Sequence, residues 1–418
     1  MRPRRPRLIA IATATVAAML AGCGTIGGDV AAPSTKPPIV FGISLSLTGG
    51  FADDGQAFQR GYRLWQSDAN EHGGILGRQV KLIILNDNSD PKKVFTNYRT
   101  LITADHVNMT LGPFSSLLTI PADQAVAQYG YALIEGAGAA NTVFTSATNL
   151  KYHNIFSPSL PVKDYMKPFV QWIKSLPASQ RPKTASYPTV DDPFATPAVQ
   201  TAQTDLEALG IKTLYSSAKP FNETPSAYKA PAQAVATANA QVVVLGATDV
   251  PTVATFMKAF EQDRYTPKIF IAVSGPDQGQ AFEGTVGKAN ADGMMVPDGW
   301  YGAYSNALSN AMVEEYIARY GGVASAINAD VAEAFSVGQV AADAITATRG
   351  TSNAKIMKYL HGPVTLQTVQ GPARFDNLGE NPLSVAFISQ WQSGSYVQVL
   401  PAGAGSTPIE TTKPQWGS

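Results

Sequence analysis

Cysteine is almost absent from this sequence. The 418 residues include a single cysteine, Cys23, so no disulfide can form within the chain. Basic and acidic residues number 31 each, and the resulting formal net charge of zero argues against a nucleic-acid surface, which needs a basic face. The four histidines lack the spacing that is typical of a metal site. They are His72, His106, His153 and His361.

The hydrophobic run at the N-terminus is too short for a membrane span. It covers residues 8–20, whereas a spanning helix needs about 20 apolar residues. Arginines precede the run, which is the pattern of a secretory signal peptide. The run ends in LAGC at 20–23, which resembles the bacterial lipobox, a signal in which the cysteine is lipidated. We therefore expect 1–23 to be a lipoprotein signal peptide with Cys23 as the lipidation site; an ordinary signal peptide with an incidental cysteine is the alternative.

Two further segments have the composition of flexible chain. Residues 24–37 are rich in Gly, Ala, Pro, Ser and Thr and show no periodicity, so they predict a flexible tether. Residues 402–418 have a similar composition and predict a flexible tail. The length that remains between them is enough for two domains.

Short apolar runs alternate with helical patterns between these two ends. Residues 39–45 predict a buried strand, and the periodicity of 54–71 predicts a helix. The alternation continues to residue 156 and then starts again. It predicts two successive α/β units, each with a mainly parallel sheet covered by helices on both faces.

The stretch LGPFSS at 111–116 links a predicted strand to a predicted helix. Gly112 and Pro113 mark a turn, and Ser115 and Ser116 follow at the expected helix start, where backbone N–H groups lack intrahelical partners. Such a corner can hold an anionic group, and ligands of open α/β sheets lie at the carboxyl ends of the strands. On its own, however, the stretch favours the simpler interpretation, in which Ser115 only caps the helix.

Several motifs, in this order and spacing, resemble the leucine/isoleucine/valine-binding group of extracytoplasmic solute-binding proteins. They are LSLTG at 45–49, FA at 51–52, GQ at 55–56, NEHGGILG at 70–77, DNSDP at 87–91, LGPFSS at 111–116, GPARFD at 371–376 and GEN at 379–381. The resemblance covers about 39–401. It implies the α/β, two-lobed type I periplasmic-binding-protein fold, with a three-strand hinge and a solute in the cleft between the lobes. It implies no catalysis, metal or cofactor.

The resemblance also implies how the chain is divided between the lobes. Lobe 1 is expected to hold residues 38–157 and 301–366. Lobe 2 is expected to hold residues 158–300 and 367–401.

Family members that bind amino acids hold the solute carboxylate with a serine of the Gly-x-x-Ser-Ser stretch and with backbone N–H groups after the following strand. By resemblance, this wall of the site is formed by Ser115 or Ser116 together with Gly136, Ala137 and Gly138. The family often has a threonine shortly afterwards, whereas this chain has two alanines and an asparagine, which puts α-amino-acid specificity in doubt. A further contact from lobe 1 is expected at Phe51.

Lobe 2 must supply the partner of any ammonium group on the solute. The best positional match is Asp277, with Asp249 as the alternative, and either residue could instead be a solvated loop acid or a helix cap. By resemblance, Phe194 covers the apolar part of the solute, and Thr248 stands where the family often has a tyrosine and so widens the pocket. Trp300, at the return crossover, either lines the cleft or packs in the hinge.

These features predict a solute-binding receptor of an ABC importer for an amino acid or a related small carboxylate or amide. It would be a monomer, held by its lipid on the outer face of the bacterial cytoplasmic membrane, and would deliver solute to permease subunits. A ligand sensor that signals to a partner protein through the same fold is the alternative. An enzyme is disfavoured because the chain lacks a Gly-x-Ser-x-Gly motif, a phosphate loop and a paired-histidine constellation.

Overall fold

Two separate sheets, each flanked by helices, organise the part of the chain that this computed structural model describes, namely residues 36–222, 224–304, 306–403 and 405–417. The predicted signal peptide, Cys23 and nearly all of the predicted tether lie outside the described residues. Within the described ranges, no helix combines the length and the apolar character needed to cross a membrane.

The first sheet has five parallel strands in the order β2-β1-β3-β4-β5. Its strands are Ile39–Leu45 (β1), Val80–Asn86 (β2), Met109–Leu111 (β3), Leu133–Ile134 (β4) and Ile155–Phe156 (β5). The helices between and after them are Ala52–Glu71 (α1), Pro91–Thr103 (α2), Ser116–Ala127 (α3), Asn141–Phe144 (α4) and Ala147–Tyr152 (α5). Because all five strands run the same way, their carboxyl ends and the loops that follow them meet at one edge of the sheet.

The second sheet has seven strands in the order β14-β13-β10-β9-β8-β6-β7. Five of them are parallel: Thr184–Tyr187 (β6), Lys212–Ser216 (β7), Val242–Leu245 (β8), Ile269–Ala272 (β9) and Met294–Asp298 (β10). The last two form an antiparallel hairpin beside β10: Phe387–Gln392 (β13) and Ser395–Leu400 (β14). The helices are Val162–Tyr165 (α6), Lys167–Ser175 (α7), Ala195–Ala208 (α8), Pro225–Ala238 (α9), Val250–Gln262 (α10), Gln280–Val286 (α11) and Lys288–Ala291 (α12).

Between β10 and β13 the chain returns to the first sheet. This part contains Ala307–Tyr320 (α13), a 3₁₀ turn at Ala324–Ala326, Ala329–Thr348 (α14), Asn353–Leu360 (α15) and a two-stranded ribbon, Leu366–Thr368 (β11) with Gly371–Ala373 (β12). Val369, Ala373 and Phe375, which the resemblance assigns to lobe 2, are buried in the core around the first sheet. We use lobe 1 for the first sheet with the elements that share its core, and lobe 2 for the second sheet with its helices.

The chain passes between the two sheets three times, after β5, after β10 and between β12 and β13. The predicted fold class, two α/β lobes with mainly parallel sheets, is therefore confirmed.

Two glycines allow α1 and α14 to pack closely in lobe 1. A Cβ atom on Gly338 would lie 2.1 Å from Cδ2 of Trp65, and one on Gly61 would lie 2.3 Å from the carbonyl oxygen of Val331. Only a residue without a side chain leaves room at these two points. The contact fixes the position of α14. Asp330 and Glu333, near the start of this helix, lie at the cleft between the lobes.

The end of the chain is anchored, although its composition predicts a flexible tail. Trp416 Nε1 donates a 2.7 Å hydrogen bond to the carbonyl of Tyr265. Lys413 is buried, and its ammonium group donates to the carbonyls of Asn290 and Asp292 at 2.9 and 2.6 Å. These backbone acceptors stabilise a segment that has little apolar character of its own, which is why composition alone predicts a tail.

Candidate functional site

A pocket lies between the lobes, near the carboxyl ends of strands from both sheets. Lobe 1 contributes Phe114, Ser115, Ser116, Ala137, Ala329, Asp330 and Glu333 to its wall. Lobe 2 contributes Tyr165, Asp192, Phe194, Thr248, Val273, Ser274, Asp277, Pro297 and Asp298. A cleft of this kind, built by both lobes, can hold a small molecule.

Six of the predicted site residues come together in this pocket. They are Ser115, Ser116, Ala137, Phe194, Thr248 and Asp277. The other four lie outside its wall: Gly136, Gly138, Phe51 and Trp300. The contact of each residue with a solute stays a prediction.

Two buried tyrosines fix the 111–116 stretch to the core of the protein. The hydroxyl of Tyr98 donates to the carbonyl of Leu111 at 2.6 Å, and the hydroxyl of Tyr62 donates to the carbonyl of Gly112 at 2.9 Å. Both tyrosines are fully buried. Their bonds replace strand pairing at the point where β3 ends, so the loop that carries the serines is fixed to the core.

The two serines of this stretch differ in what their hydroxyls do. Ser116 Oγ accepts a 3.1 Å hydrogen bond from the N–H of Ala140 and lies 3.4 Å from the carbonyl oxygen of Ala137, to which it donates. Ser115, at the start of α3, is also buried, but its Oγ has no hydrogen-bond partner among the described residues. Of the two predicted candidates, Ser115 therefore has the hydroxyl that is free for a solute.

The backbone N–H groups predicted to hold a solute carboxylate already face a carboxyl group of the chain. Gly138 donates its N–H to Oε2 of the fully buried Glu135, just after β4. Burial raises the pKa of Glu135 to about 7, although hydrogen bonds from Ser157, Gly138 and Ala137 act in the opposite direction. This local acid was not predicted, and it takes one of the donors that a bound carboxylate would use.

Phe51 and Gly136 support the pocket from behind. The ring of Phe51 packs against that of Phe114 with centroids 5.6 Å apart, so Phe114 forms the wall and Phe51 its backing. A Cβ on Gly136 would lie 3.2 Å from Cβ of Glu333, so this glycine lets α14 approach the end of β4.

Trp300 is fully buried in the core of lobe 1, at the crossover that follows β10. Its Nε1 donates a 2.9 Å hydrogen bond to Oγ of Ser309 on α13. This contact corresponds to hinge packing, which was one of its two predicted roles.

The two predicted acids of lobe 2 occupy different places. Asp277 lines the pocket, where its carboxylate accepts a 2.6 Å hydrogen bond from the N–H of Gly275, and burial raises its pKa to about 6. Asp249 caps α10 by accepting a 2.8 Å bond from the N–H of Thr252, and it does not line the pocket. The helix-cap alternative thus describes Asp249.

Sequence reasoning missed four acids that line the pocket, namely Asp192, Asp298, Asp330 and Glu333. Asp298 ends β10, and its Oδ1 accepts hydrogen bonds from the N–H groups of Gly299 and Trp300 at 2.6 and 3.1 Å. Asp330 and Glu333 lie one turn apart at the start of α14. An acid directly after a buried strand is a detectable signal for Asp298, whereas α14 reaches the cleft only through the return of the chain to lobe 1.

Burial and mutual repulsion raise the pKa values of these acids. The pKa of Asp330 rises to about 8, mainly through burial and then through the charge of Asp277. The pKa values of Asp298 and Glu333 also lie well above their usual range, again mainly because burial penalises the charged form. The pocket therefore favours the protonated forms of these carboxyl groups more strongly than water does.

A hydrogen bond connects the two lobes beside the pocket. Gln278, in the loop after β9, donates its side-chain N–H to the carboxyl group of Asp54 on α1. Asp54 is buried next to Asp330, and burial followed by the charge of Asp330 raises its pKa well above the usual range. This contact spans the cleft and favours the arrangement in which the lobes lie together.

Known proteins resemble this chain in both sequence and structure. The family model described as periplasmic binding protein matches residues 38–395. A Leu/Ile/Val-binding protein homolog 1 from Brucella abortus is 35% identical over 107 residues, which are 26% of this chain and 28% of that protein. An amino acid binding protein from Pseudomonas aeruginosa is 32% identical over 92 residues, 22% of this chain and 25% of that protein. The aligned stretches thus span only about a quarter of these curated relatives.

Solved structures match over most of the fold. The leucine binding protein LivK from Thermotoga maritima superposes with a TM-score of 0.75 at 15% identity, over 88% of this chain and 99% of that one. A solute binding protein from R. palustris, solved in complex with benzoate, has a TM-score of 0.70 at 16% identity, over 90% of this chain and 100% of that one. Since the family model covers most of the sequence, this chain belongs to the periplasmic binding protein family.

Proposed function

We propose that this protein is the solute-binding receptor of an ABC importer and takes up a small solute, such as an amino acid or a related carboxylate or amide, between its lobes. The observation that carries the proposal is the buried pocket to which both lobes contribute polar side chains and aromatic rings. Relatives support it, because the structure of LivJ from Streptococcus pneumoniae was solved in complex with isoleucine and that of the R. palustris protein with benzoate.

Binding would be coupled to closure of the two lobes. A solute that contacts Ser115 from lobe 1 and Phe194 from lobe 2 stabilises the closed arrangement, because only that arrangement offers both contacts at once. The bond between Gln278 and Asp54 would add to the closed state. Permease subunits would then recognise the closed protein rather than the open one.

Membership of this family implies an extracytoplasmic location. We further propose that Cys23 carries the lipid that holds the protein, as a monomer, on the outer face of the cytoplasmic membrane. Two acyl chains on one cysteine are sufficient for stable anchoring, whereas a single chain gives only marginal binding. No catalytic role or cofactor is part of the proposal.

Isothermal titration and thermal shift against a panel of small solutes test the proposed function. The panel contains aliphatic and basic amino acids, amides, urea, aromatic carboxylates and simple amines. We expect at least one member to bind with a dissociation constant in the micromolar range or below, which corresponds to about 8 kcal/mol or more. If no member gives heat or a thermal shift, the protein is not a receptor for small solutes.

Replacing Ser115 with alanine is expected to weaken binding of the best panel solute roughly fivefold, since one hydrogen bond contributes about 1 kcal/mol. The melting temperature should hardly change, because the Ser115 hydroxyl has no partner in the ligand-free protein. Ser116→Ala is the matched variant: it leaves the N–H of Ala140 without its acceptor and should lower the free energy of unfolding by about 1–3 kcal/mol. Unchanged affinity in Ser115→Ala would remove this hydroxyl from the site.

A further inference from the structure

The wall of the pocket is rich in acidic side chains. Five carboxyl side chains line it: Asp192, Asp277, Asp298, Asp330 and Glu333. None of the described residues in its wall is a lysine, arginine or histidine. A carboxylate solute would therefore find no basic side chain in the described wall to offset its charge, and any of these acids that is ionised would repel it.

Two of these acids are already used by the local backbone, so they explain part of the cluster without a solute. Asp192 accepts hydrogen bonds from the N–H groups of Phe194 and Ala195 at 2.7 and 3.0 Å. Asp277 accepts from Gly275 and from the hydroxyl of Ser274. Both acids shape loops at the ends of strands, and a cluster made only of such residues would need no ligand.

Asp298 does not fit that explanation. Its side chain is 95% buried, and while Oδ1 accepts from two backbone N–H groups, Oδ2 has no hydrogen-bond partner among the described residues. Ser115 Oγ and Thr248 Oγ1, in the same wall, are also buried and without partners in the described chain. Buried polar atoms are nearly always paired, so three unpaired atoms around one pocket indicate a missing partner.

Asp330 and Glu333 bring further carboxyl groups to the opposite side of the pocket. They belong to the first turns of α14, where the backbone N–H groups of a helix favour negative charge, while burial opposes it. A positive group between Asp298 of lobe 2 and this pair of lobe 1 would offset the repulsion on both sides. It would thereby attract the lobes to each other as well as to the solute.

Aromatic rings complete the wall. Phe194 and Tyr165 of lobe 2 pack edge to face with centroids 5.1 Å apart, and Phe114 stands on the lobe 1 side. Aromatic faces next to carboxylates bind organic cations, because the ring face attracts positive charge and also covers apolar carbon. A metal ion fits less well, since no group of described residues has an arrangement that could hold one.

We propose that the solute is an organic cation, with an ammonium, guanidinium or quaternary ammonium group and with more positive than negative charge. Its cationic group lies between Asp298 and the pair Asp330 and Glu333, and its carbon skeleton contacts Phe114, Phe194 and Tyr165. The inference rests on the proposed solute-binding function and names the substrate class of the same pocket. It departs from the carboxylate or amide that the sequence motifs predict.

Solute pairs that differ in charge but hardly in shape test the proposal by isothermal titration and thermal shift. The pairs are lysine with norleucine, arginine with citrulline, and choline with 3,3-dimethylbutanol. We expect at least one cation to bind at least a hundredfold more tightly than its neutral counterpart and to raise the melting temperature. Leucine, isoleucine and benzoate serve as solutes without net positive charge, and calcium chloride tests a metal ion.

Every other outcome of these titrations contradicts the cationic class of the solute, the receptor function or both. If leucine, isoleucine, benzoate or a neutral member binds as tightly as the cations or more tightly, the cationic class is wrong and the receptor function stands. If only calcium binds, the acids form a metal site and the inference is wrong. If nothing binds, both the receptor function and the inference are overturned.

Two isosteric variants then locate the cation. Asp298→Asn and Glu333→Gln should each weaken binding of the preferred cation at least tenfold, whereas Asp105→Asn, at an exposed position, should leave the affinity unchanged. The ligand-free melting temperature of Asp298→Asn should stay about the same, because the variant replaces a buried carboxyl oxygen that has no hydrogen-bond partner among the described residues. Wild-type affinity in both variants would place the cation elsewhere and overturn the assignment.

Discussion

Replacing Gly338 with alanine is expected to lower the free energy of unfolding by about 1–3 kcal/mol, the usual range for an overpacked core. The added methyl group would lie 2.1 Å from the ring of Trp65, which is itself almost fully buried. Neither α1 nor α14 can move aside freely, because both pack against the first sheet. Chemical denaturation monitored by tryptophan fluorescence measures the change.

Gly284→Ala is the matched control for this substitution. Gly284 also lies within a helix, α11, but a Cβ there would meet no atom within 4 Å. Alanine in an open helical position is usually more stable than glycine by about 0.5–1 kcal/mol, so this variant should be neutral or slightly stabilised. Equal stability of the two variants would mean that the contact of Gly338 with Trp65 is not tight.

The Gly338→Ala substitution should also weaken solute binding. α14 carries Asp330 and Glu333 into the pocket, and a shift of this helix away from Trp65 displaces both carboxyl groups. If the lobe 1 side of the pocket is displaced by a fraction of an ångström, part of its contact with the solute is lost. In the closed arrangement both sides of the pocket must fit the solute together. The structural role of Gly338 and the proposed role of the acids are thus linked through one helix.

Much of lobe 1 could be predicted from local sequence. The run at 39–45 is apolar and β-branched, and it forms β1, while 54–71 predicts most of α1 correctly. The serines of 111–116 lie at the carboxyl end of β3, as predicted, because parallel strands bring the loops after them to one edge. In each of these cases neighbouring residues alone determine the outcome.

The residues that sequence reasoning missed depend on contacts between distant parts of the chain. Asp330 reaches the pocket because 301–366 folds back onto the first sheet, and no local pattern reports that return. Glu135 resembles any polar residue after a short strand until the N–H of Gly138 is seen to donate to it. The acidic character of the pocket likewise depends on residues from both lobes. The motifs of lobe 1 alone favour an anionic group on the solute, whereas the complete wall disfavours such a group.

Raising the pH from about 5 to about 8 is expected to destabilise the ligand-free protein. Burial raises the pKa of Asp277 to about 6 and that of Asp330 to about 8, whereas aspartates in an unfolded chain ionise near pH 4. In this window the folded protein holds protons that the unfolded chain has released, so its free energy of unfolding is highest at low pH. It falls by about 1.4 kcal/mol per pH unit for each such proton.

The acids that face Asp330 all make the folded protein less stable as the pH rises. Asp54 on α1, Glu333 on α14 and Asp298 of lobe 2 are acids whose pKa values burial raises well above their usual range. Lys413 has the opposite effect, since burial lowers its pKa to about 8 and its contribution to stability grows only as the pH rises beyond that value. Measurement below pH 8 therefore excludes the contribution of Lys413.

Asp330→Asn should flatten this pH dependence, because it removes one buried proton-binding group and lowers the repulsion on Asp54. Part of the slope should remain, since burial also raises the pKa of Glu135, outside the pocket, to about 7. Denaturant unfolding at several pH values measures both effects, with Asp105→Asn as the control that should keep the wild-type slope. Stability that rises with pH in the wild-type protein would mean that these carboxyl groups are ionised and paired in the fold, and the pocket would then have no need of a cation.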